Sequence, residues 1–246
     1  QEVFDDIHGR VVEGAAPLVV ANHPRAVPGL LGFFTSAAFD SATGQPGMPQ
    51  FWSDDFDLIE VFNDSSFDEN SQLVTDWFGF LNRGRRIFAV GSSDTHQVYD
   101  IPLGYPRTCA RLGTDDTATL RGMGPAPLRD AMAGGHSVIN GGVHLSALHA
   151  SGARPGEVVT NAATSELVRV VVQAPQWVDV DSLRVYVNGV LVETIPLDNT
   201  TADPLNPVSR FDADVSVPTG DMAAWVVFVA AGDTDLTPVH PGRMPF

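Results

Sequence analysis

The stretch RRIFAVGSSDTH, residues 85–96, runs from an apolar, strand-like segment into two serines, an aspartate and a histidine. In an extended chain, side chains two positions apart point to the same side, so Asp94 and His96 present a carboxylate and an imidazole together. Both groups are good ligands for Zn²⁺, Mn²⁺ and Fe. Taken alone, the pattern is more typical of a turn in which Ser92, Ser93 and Asp94 cap the next element.

Two earlier apolar stretches end in the same way. PLVVANHP (17–24) ends at His23, and FDLIEVFN (56–63) ends around Glu60. From His23 to Glu60 and from Glu60 to His96 the chain advances by 37 and 36 residues. This spacing is typical of successive βα units, which need about 30 residues or more each.

The carboxyl ends of parallel strands in βα folds converge on the active site. The sequence therefore predicts that the polar side chains at these three strand ends lie together. Three such ends favour metal binding over a simple capping turn. The residues concerned are His23, Glu60, Asn63, Asp94 and His96.

Other elements of the first part follow from periodicity. SQLVTDWFGFLNRG (71–84) has apolar residues at helical spacing and a glycine, Gly84, placed to end the helix. The segment 25–55 is rich in Gly, Pro and Ser and predicts a long loop with at most one short helix near 30–34.

After residue 160 the pattern changes to short strands with alternating polarity. Asn188-Gly189 is a strong signal for a two-residue hairpin turn. We therefore predict a domain at 1–157 and an antiparallel β-sandwich domain at 158–246. The predicted strands of the sandwich are 166–173, 182–187, 190–195, 209–217 and 223–230.

Composition excludes several classes of partner. The 246 residues carry a net charge of −16, and arginine supplies all 14 basic residues, so nucleic acid and anionic membranes are poor partners. Cys109 is the only cysteine, which excludes an intrachain disulfide and a cysteine-rich zinc site. No apolar run approaches the ~20 residues of a membrane span. The compartment stays open, with the periplasm or a secreted location favoured over the cytoplasm.

The strand-end motifs also carry a family resemblance. ANHPR, DLIEVFN and GSSDTH, followed by GYPRTC (104–109), resemble the later motifs of the PHP (polymerase and histidinol phosphatase) superfamily, and most closely its CehA/McbA-like branch. The resemblance continues through LRDAMAGGHSVINGG (128–142) and APQWVDVDSLRVYVNG (174–189), and spans residues 17–195.

This resemblance implies a fold that is α/β plus all-β. The first part would be the C-terminal portion of a distorted (βα)7 PHP-type barrel that holds two or three metal ions, and an antiparallel β-sandwich would follow it. By the same resemblance His23, Asp94 and His96 are metal ligands. Glu60 is a ligand or a residue that holds the ligands, and Asn63 contacts the ligands.

The implied activity is hydrolysis of a small-molecule phosphoester or of a carboxylic or carbamic ester by metal-bound hydroxide, with Zn, Mn or Fe as cofactor. A bound divalent ion lowers the pKa of its water from about 16 to about 7. Arg25 and Arg107 are candidate catalytic anion clamps, because arginine binds phosphate or carboxylate bidentately. For Arg25, a salt bridge is as well supported as the role of anion clamp. For Arg107, a salt bridge is favoured over that role.

Two features depart from the family pattern. Family members begin with a His-x-His motif, whereas no two of the seven histidines here are separated by one residue. Ile139 stands where the family has threonine, and His144 follows at an unfamiliar position. We therefore expect a fragment that lacks the N-terminal half of the barrel, is inactive by itself and binds metal poorly. Its uncovered edge and apolar face favour a homo-oligomer or pairing with the missing half.

The remaining histidines are expected to have no role as ligands. His8 is expected to be solvated, His240 to lie in a loop, and His136, His144 and His149 to pack or form hydrogen bonds.

One alternative function is a non-catalytic PHP-like scaffold whose sandwich binds a polymer or a protein. The other is a small binding protein with an incidental metal site.

Overall fold

The computed structural model describes residues 2–25, 32–63, 67–96, 102–160, 163–201 and 203–239. Its helices are α1 Glu2–His8, α2 Phe33–Ser36, α3 Phe67–Asn82, α4 Thr117–Gly122 and α5 Ala126–Ala133, with a 3-10 helix at Pro49–Phe51. Its strands are β1 Val20–Ala21, β2 Phe39–Asp40, β3 Gln45–Pro46, β4 Leu58–Asn63, β5 Phe88–Ser92, β6 Arg107–Ala110, β7 Ser137–Asn140, β8 His144–His149, β9 Ser165–Gln173, β10 Ser182–Val187, β11 Val190–Pro196, β12 Ser209–Pro218 and β13 Val226–Ala231.

The first part of the chain is built on a parallel sheet in the order β1-β4-β5. Val20 pairs with Leu58, and Leu58 pairs with Phe88, in parallel register. Residues 58–62 of the central strand are all buried, as expected for a parallel strand covered on both faces. The prediction of three parallel strands that end at the same edge is confirmed.

Helix α3 connects β4 to β5 and confirms the helix predicted at 71–84, although it begins earlier, at Phe67. Gly84 has a φ of +76°, so it ends the helix in the left-handed conformation that glycine adopts readily. Trp77 donates its indole N–H to the carbonyl of Ile87 at 2.8 Å. This bond fixes the return of the chain into β5.

The segment 25–55 has more regular structure than the sequence predicts, where the structure describes it. Besides α2 it contains the 3-10 helix and a small hairpin of β2 and β3. The reason is an aromatic cluster: Phe34 packs against Phe39 at 4.8 Å between ring centroids and against Phe80 of α3 at 5.7 Å. Residues 30 and 31, where the short helix was predicted to begin, lie outside the described residues.

The second part of the chain forms two antiparallel sheets, β12-β9-β8 and β11-β10-β13. They share a core that includes Val170, Val172, Leu183 and Val185, each fully buried. All five predicted strands are confirmed. Asn188 and Gly189 both have positive φ, +50° and +83°, as a type I′ hairpin turn requires.

One sandwich strand comes from the N-terminal side of the predicted division between 1–157 and 158–246. Strand β8 pairs with β9 from His144 opposite Gln173 to His149 opposite Val168. Val143, directly before it, is buried in the sandwich core. The sandwich sheet therefore begins at His144, about 14 residues before the boundary predicted at residue 158.

The fold is thus mixed, with a β-sandwich part as predicted. Within the described residues the chain forms several small sheets and no barrel, so a portion of a PHP-type barrel stays a prediction. Helix α3 also contacts the sandwich: Phe78 packs on Trp225 with centroids 4.8 Å apart, and Trp225 donates its indole N–H to Asn82 at 2.9 Å. None of the helices that the structure describes has the length and apolarity needed to cross a membrane.

We expect the sandwich to fold on its own only when β8 is included. Without β8, the edge of β9 loses its hydrogen-bonding partner and the core loses Val143. A chain of residues 142–246 should show β-type circular dichroism and a cooperative melt at a higher temperature than a chain of residues 158–246. Equal melting temperatures for the two chains would mean that β8 is not part of the folding unit.

Candidate functional site

The polar residues predicted at the strand ends lie together at the carboxyl edge of the parallel sheet. His23 follows β1, Glu60 lies in β4, and Asp94 and His96 follow β5. His23 Nε2 is 3.4 Å from Asp94 Oδ2, and His96 Nε2 is 3.1 Å from Asp94 Oδ1. His23 Nδ1 is 3.8 Å from Glu60 Oε2. The four side chains therefore make a continuous series of contacts from Glu60 to His96.

Glu60 is a buried carboxylate whose two oxygens are both used by the protein. Its Oε2 accepts the backbone N–H of His23 at 2.9 Å. Its Oε1 accepts the side-chain amide of Asn63 at 3.1 Å and the hydroxyl of Ser92 in a short hydrogen bond. The carboxylate is only 2% exposed, so these bonds replace the water that it loses on burial. Glu60 thus binds all three strand ends together.

The backbone at two of the site residues is strained. His23 has a φ of +46° and Asp94 a φ of +47°, in the left-handed region that residues with a side chain rarely adopt. Each of these conformations costs on the order of 1–3 kcal/mol. Such strain clusters at functional sites, and these two residues are the ones whose side chains meet at 3.4 Å. Four other non-glycine residues of the described chain also have positive φ, in turns and bends away from this site: Glu13, Ala38, Asn188 and Asn199.

The site opens to solvent. The side chains of His23 and Asp94 are 39% and 32% exposed, and that of His96 is 77% exposed. A ligand can therefore reach the imidazoles without displacing core residues. Glu60 lies beneath them and is closed off.

The donor set has the right chemistry for a divalent metal, but the fit is incomplete. Imidazole and carboxylate are common ligands of zinc, and a catalytic zinc site usually has three protein ligands. Within the described ranges, no group of three or more His, Cys, Asp and Glu residues is placed to hold a metal ion. The contacts in this site are pairwise, and Glu60 directs its oxygens to protein donors.

Arg25 forms a salt bridge, which is one of the two roles that the sequence predicts for it; the other is an anion clamp. Its Nε and Nη2 donate to the two oxygens of Asp76 at 2.7 and 2.5 Å, and Nη2 also donates to the carbonyl of Phe39 at 3.0 Å. Asp76 is fully buried on α3 and also accepts the hydroxyl of Ser41 at 2.5 Å. This network fixes the backbone two residues after His23.

Asp76 was missed by the sequence reasoning. Its only signal is an aspartate within the apolar helical stretch QLVTDWFGF, on a helix that must bury one face. A buried carboxylate requires a partner, but the sequence does not show that the partner is Arg25, 51 residues away.

Arg107 lies at the start of β6 and is exposed. Its Nη1 donates to the carbonyl of Gly104 at 2.8 Å, and Gly104 donates its N–H to Ser93 Oγ at 3.2 Å. The loop that holds Arg107 therefore contacts the segment that leads to Asp94. Its proposed role with a substrate stays a prediction.

Three other histidines have defined surroundings. His8 was expected to be solvated, but its Nε2 lies 3.0 Å from Asp57 Oδ2, with both side chains about one-third exposed. The pair arises because α1 packs beside the start of β4. His149 and His144 lie at the two ends of β8, and burial lowers the pKa of His144, with a further lowering by the Arg107 guanidinium. His240 lies outside the described residues.

Comparison with known proteins found no match of this chain to a protein family, to a curated protein or to a solved structure.

The salt bridge between Arg25 and Asp76 should contribute strongly to stability. Asp76→Ala leaves the guanidinium of Arg25, whose side chain is 25% exposed, without its carboxylate. We expect the free energy of unfolding to fall by about 3 kcal/mol, as for other broken buried pairs. Urea denaturation measures the change. Asp6→Ala is the matched control, because Asp6 pairs with Arg10 at 2.5 Å on the surface, and its loss should cost about 1 kcal/mol or less.

His144 should make stability depend on pH. Its pKa is lower in the folded chain than the ordinary value of 6.5, so the unfolded chain binds more protons below that pH. The free energy of unfolding should therefore be highest above pH 6.5 and fall as the pH decreases towards the folded pKa. In His144→Gln this part of the pH dependence should disappear, which denaturation at pH 7.5 and pH 5 tests. Arg107→Gln should raise the pKa of His144 in an NMR titration, and an unchanged or lower value would contradict the assigned cause.

Proposed function

We propose that this chain belongs to a metal-dependent hydrolase of the PHP superfamily, in its CehA/McbA-like branch. It would contribute the C-terminal portion of the barrel and the β-sandwich that follows. The substrate would be a small-molecule phosphoester or a carboxylic or carbamic ester. The observation that carries the proposal is the convergence of His23, Asp94 and His96 above the buried Glu60, at the carboxyl ends of three neighbouring parallel strands.

Three properties of this site support a functional role over a capping turn. The contacts join three separate strand ends, whereas a turn that caps the next element needs only local residues. The imidazoles are open to solvent. His23 and Asp94, whose side chains meet, both have positive φ values, and such backbone conformations cluster at functional sites.

The residues of this chain have distinct roles in the proposal. His23, Asp94 and His96 would each supply a ligand to a different ion of the metal cluster or share one between two of them, while Glu60 would position His23 through its backbone N–H, and Asn63 would hold Glu60. Zn, Mn or Fe would activate water and polarise the ester. Because the resembled family carries a His-x-His motif before the segment that matches ANHPR, we propose that further ligands come from an N-terminal half of the barrel.

A second candidate is a PHP-like scaffold without catalysis, in which the sandwich binds a polymer or a protein. The observation that favours it is that the contacts of His23, Asp94 and His96 are pairwise contacts between side chains, which hold the strand ends together without a metal. The two candidates differ in what precedes this sequence in the gene. A His-x-His after a strand supports the enzyme, and a preceding segment without such ligands supports the scaffold.

The enzyme proposal is tested on the complete gene product. Asp94→Ala and His96→Ala should each abolish the EDTA-sensitive hydrolysis of an ester panel and remove metal binding, with little loss of stability, because the side chain of His96 is 77% exposed and that of Asp94 is 32% exposed. Full turnover in either variant would contradict a metal role. Ser216→Ala, a surface change in the sandwich, is the control and should leave turnover unchanged.

The 246 residues alone should bind metal weakly and show no metal-dependent phosphoester turnover, because each ion would keep only one or two protein ligands. Calorimetric titration with Zn²⁺ and Mn²⁺ and a phosphoester assay measure both properties. Submicromolar affinity together with turnover would show that the site is complete without further ligands.

A further inference from the structure

A second cluster of reactive side chains lies on the sandwich, where β8 ends and β9 begins. His149, the last residue of β8, stands between a serine and a glutamate. Its Nδ1 is 2.8 Å from the hydroxyl of Ser151, and its Nε2 is 2.8 Å from Glu166 Oε2. A nucleophile in contact with a base, and a base held by a third group, is the arrangement that defines nucleophilic sites in enzymes.

The burial of the three residues suits this arrangement. The side chains of His149 and Glu166 are only 11% and 17% exposed. His149 lies opposite Val168, which is buried in the core, so the imidazole is on the inner side of the sheet, at its end. Ser151 is exposed in the turn that follows. The serine is therefore open to a substrate, while its base is held in a partly dry environment.

The hydrogen bonds also fix the tautomer of His149. The backbone N–H of Ser151 donates to Nδ1 at 3.0 Å, and a backbone N–H can only donate. Nδ1 must then carry the lone pair, and Nε2 carries the hydrogen that Glu166 accepts. In this tautomer the Nδ1 lone pair faces both the Ser151 hydroxyl and the Ser151 N–H, so Nδ1 takes the hydroxyl proton as the hydrogen bond from the N–H breaks.

We propose that Ser151 is a nucleophile that reacts with activated acyl esters, with His149 as its general base and Glu166 as the positioning residue. In the first step Ser151 Oγ forms a bond to the acyl carbon, the bond from that carbon to the leaving oxygen breaks, and the hydroxyl proton passes to His149 Nδ1. Glu166 stabilises the imidazolium that results. The imidazolium gives this proton to the leaving oxygen, which departs as an alcohol or phenol. Water then attacks the acyl-serine as it passes a proton to His149 Nδ1, and the carboxylic acid leaves as Ser151 Oγ recovers that proton.

The backbone around Ser151 restricts the substrate class. The N–H groups of Ala150, Ser151 and Gly152 are already used, by Leu167 O at 2.9 Å, His149 Nδ1 at 3.0 Å and His149 O at 2.8 Å. The N–H groups of Ala150 and Gly152 are therefore not available to stabilise an oxyanion, and that of Ser151 is free only after it leaves Nδ1. Removal of one such donor costs about 10²–10³ in rate. The site should react with esters that have good leaving groups and leave amides intact.

This site shares no residue with the proposed metal site, so each proposal can be tested, and can be wrong, independently of the other. The experiment uses the full chain in EDTA, with a fluorophosphonate probe and with p-nitrophenyl acetate. Mass spectrometry should locate the phosphonate on Ser151. His149→Gln should lower the labelling rate by about 100-fold or more, since general bases contribute about 10²–10⁴, and Glu166→Gln should lower it in the same direction.

Two controls separate activation from simple exposure. Ser165 and Ser216 form an exposed hydroxyl pair at 2.8 Å, and their peptides should stay unlabelled. His8→Gln removes a histidine that also contacts a carboxylate, Asp57, and should leave labelling at Ser151 unchanged. Ser151 is exposed, so Ser151→Ala should fold normally. This variant should abolish both labelling and p-nitrophenol release. No label on Ser151, or equal labelling in His149→Gln, would overturn the proposal.

Discussion

The carboxylate of Glu60 is the constraint on which the first part of the structure depends. It lies in the central strand of the parallel sheet, where a charge without partners would be very costly. Its partners are the backbone of His23 after β1, the side chain of Asn63 in β4 and the hydroxyl of Ser92 in β5. Satisfying one buried charge therefore brings three strand ends to one place.

The exposed site follows from this buried layer. Because the N–H of His23 is held by Glu60, its imidazole is directed to Asp94, and Asp94 contacts His96 in turn. Arg25, held by the buried Asp76, fixes the same loop from the side of α3. The surface residues that would bind a ligand are thus positioned by residues that no ligand touches. This division of roles is common where a site must hold its geometry.

Helix α3 connects this layer to the sandwich. One of its residues, Asp76, supports the His23 loop, while Phe78 and Asn82 contact Trp225 of the sandwich. A change in the packing of this helix would therefore act on both parts of the chain. Strand β8 belongs to the sandwich, because it pairs with β9 although it precedes the predicted boundary.

The sequence by itself determined the local elements and the types of residue at the strand ends. Helix α3, the five later strands and the turn at Asn188-Gly189 follow from periodicity and turn chemistry, which depend on near neighbours. The convergence of His23, Glu60, Asp94 and His96 also followed, because parallel strands of regular spacing end at the same edge. Tertiary structure alone decided the pairing of Arg25 with Asp76, the contact of His8 with Asp57, the placement of β8 and the meeting of Ser151, His149 and Glu166. The physical reason is that these depend on which distant surfaces pack together, and no repeat in the sequence records a contact between residues 51 positions apart.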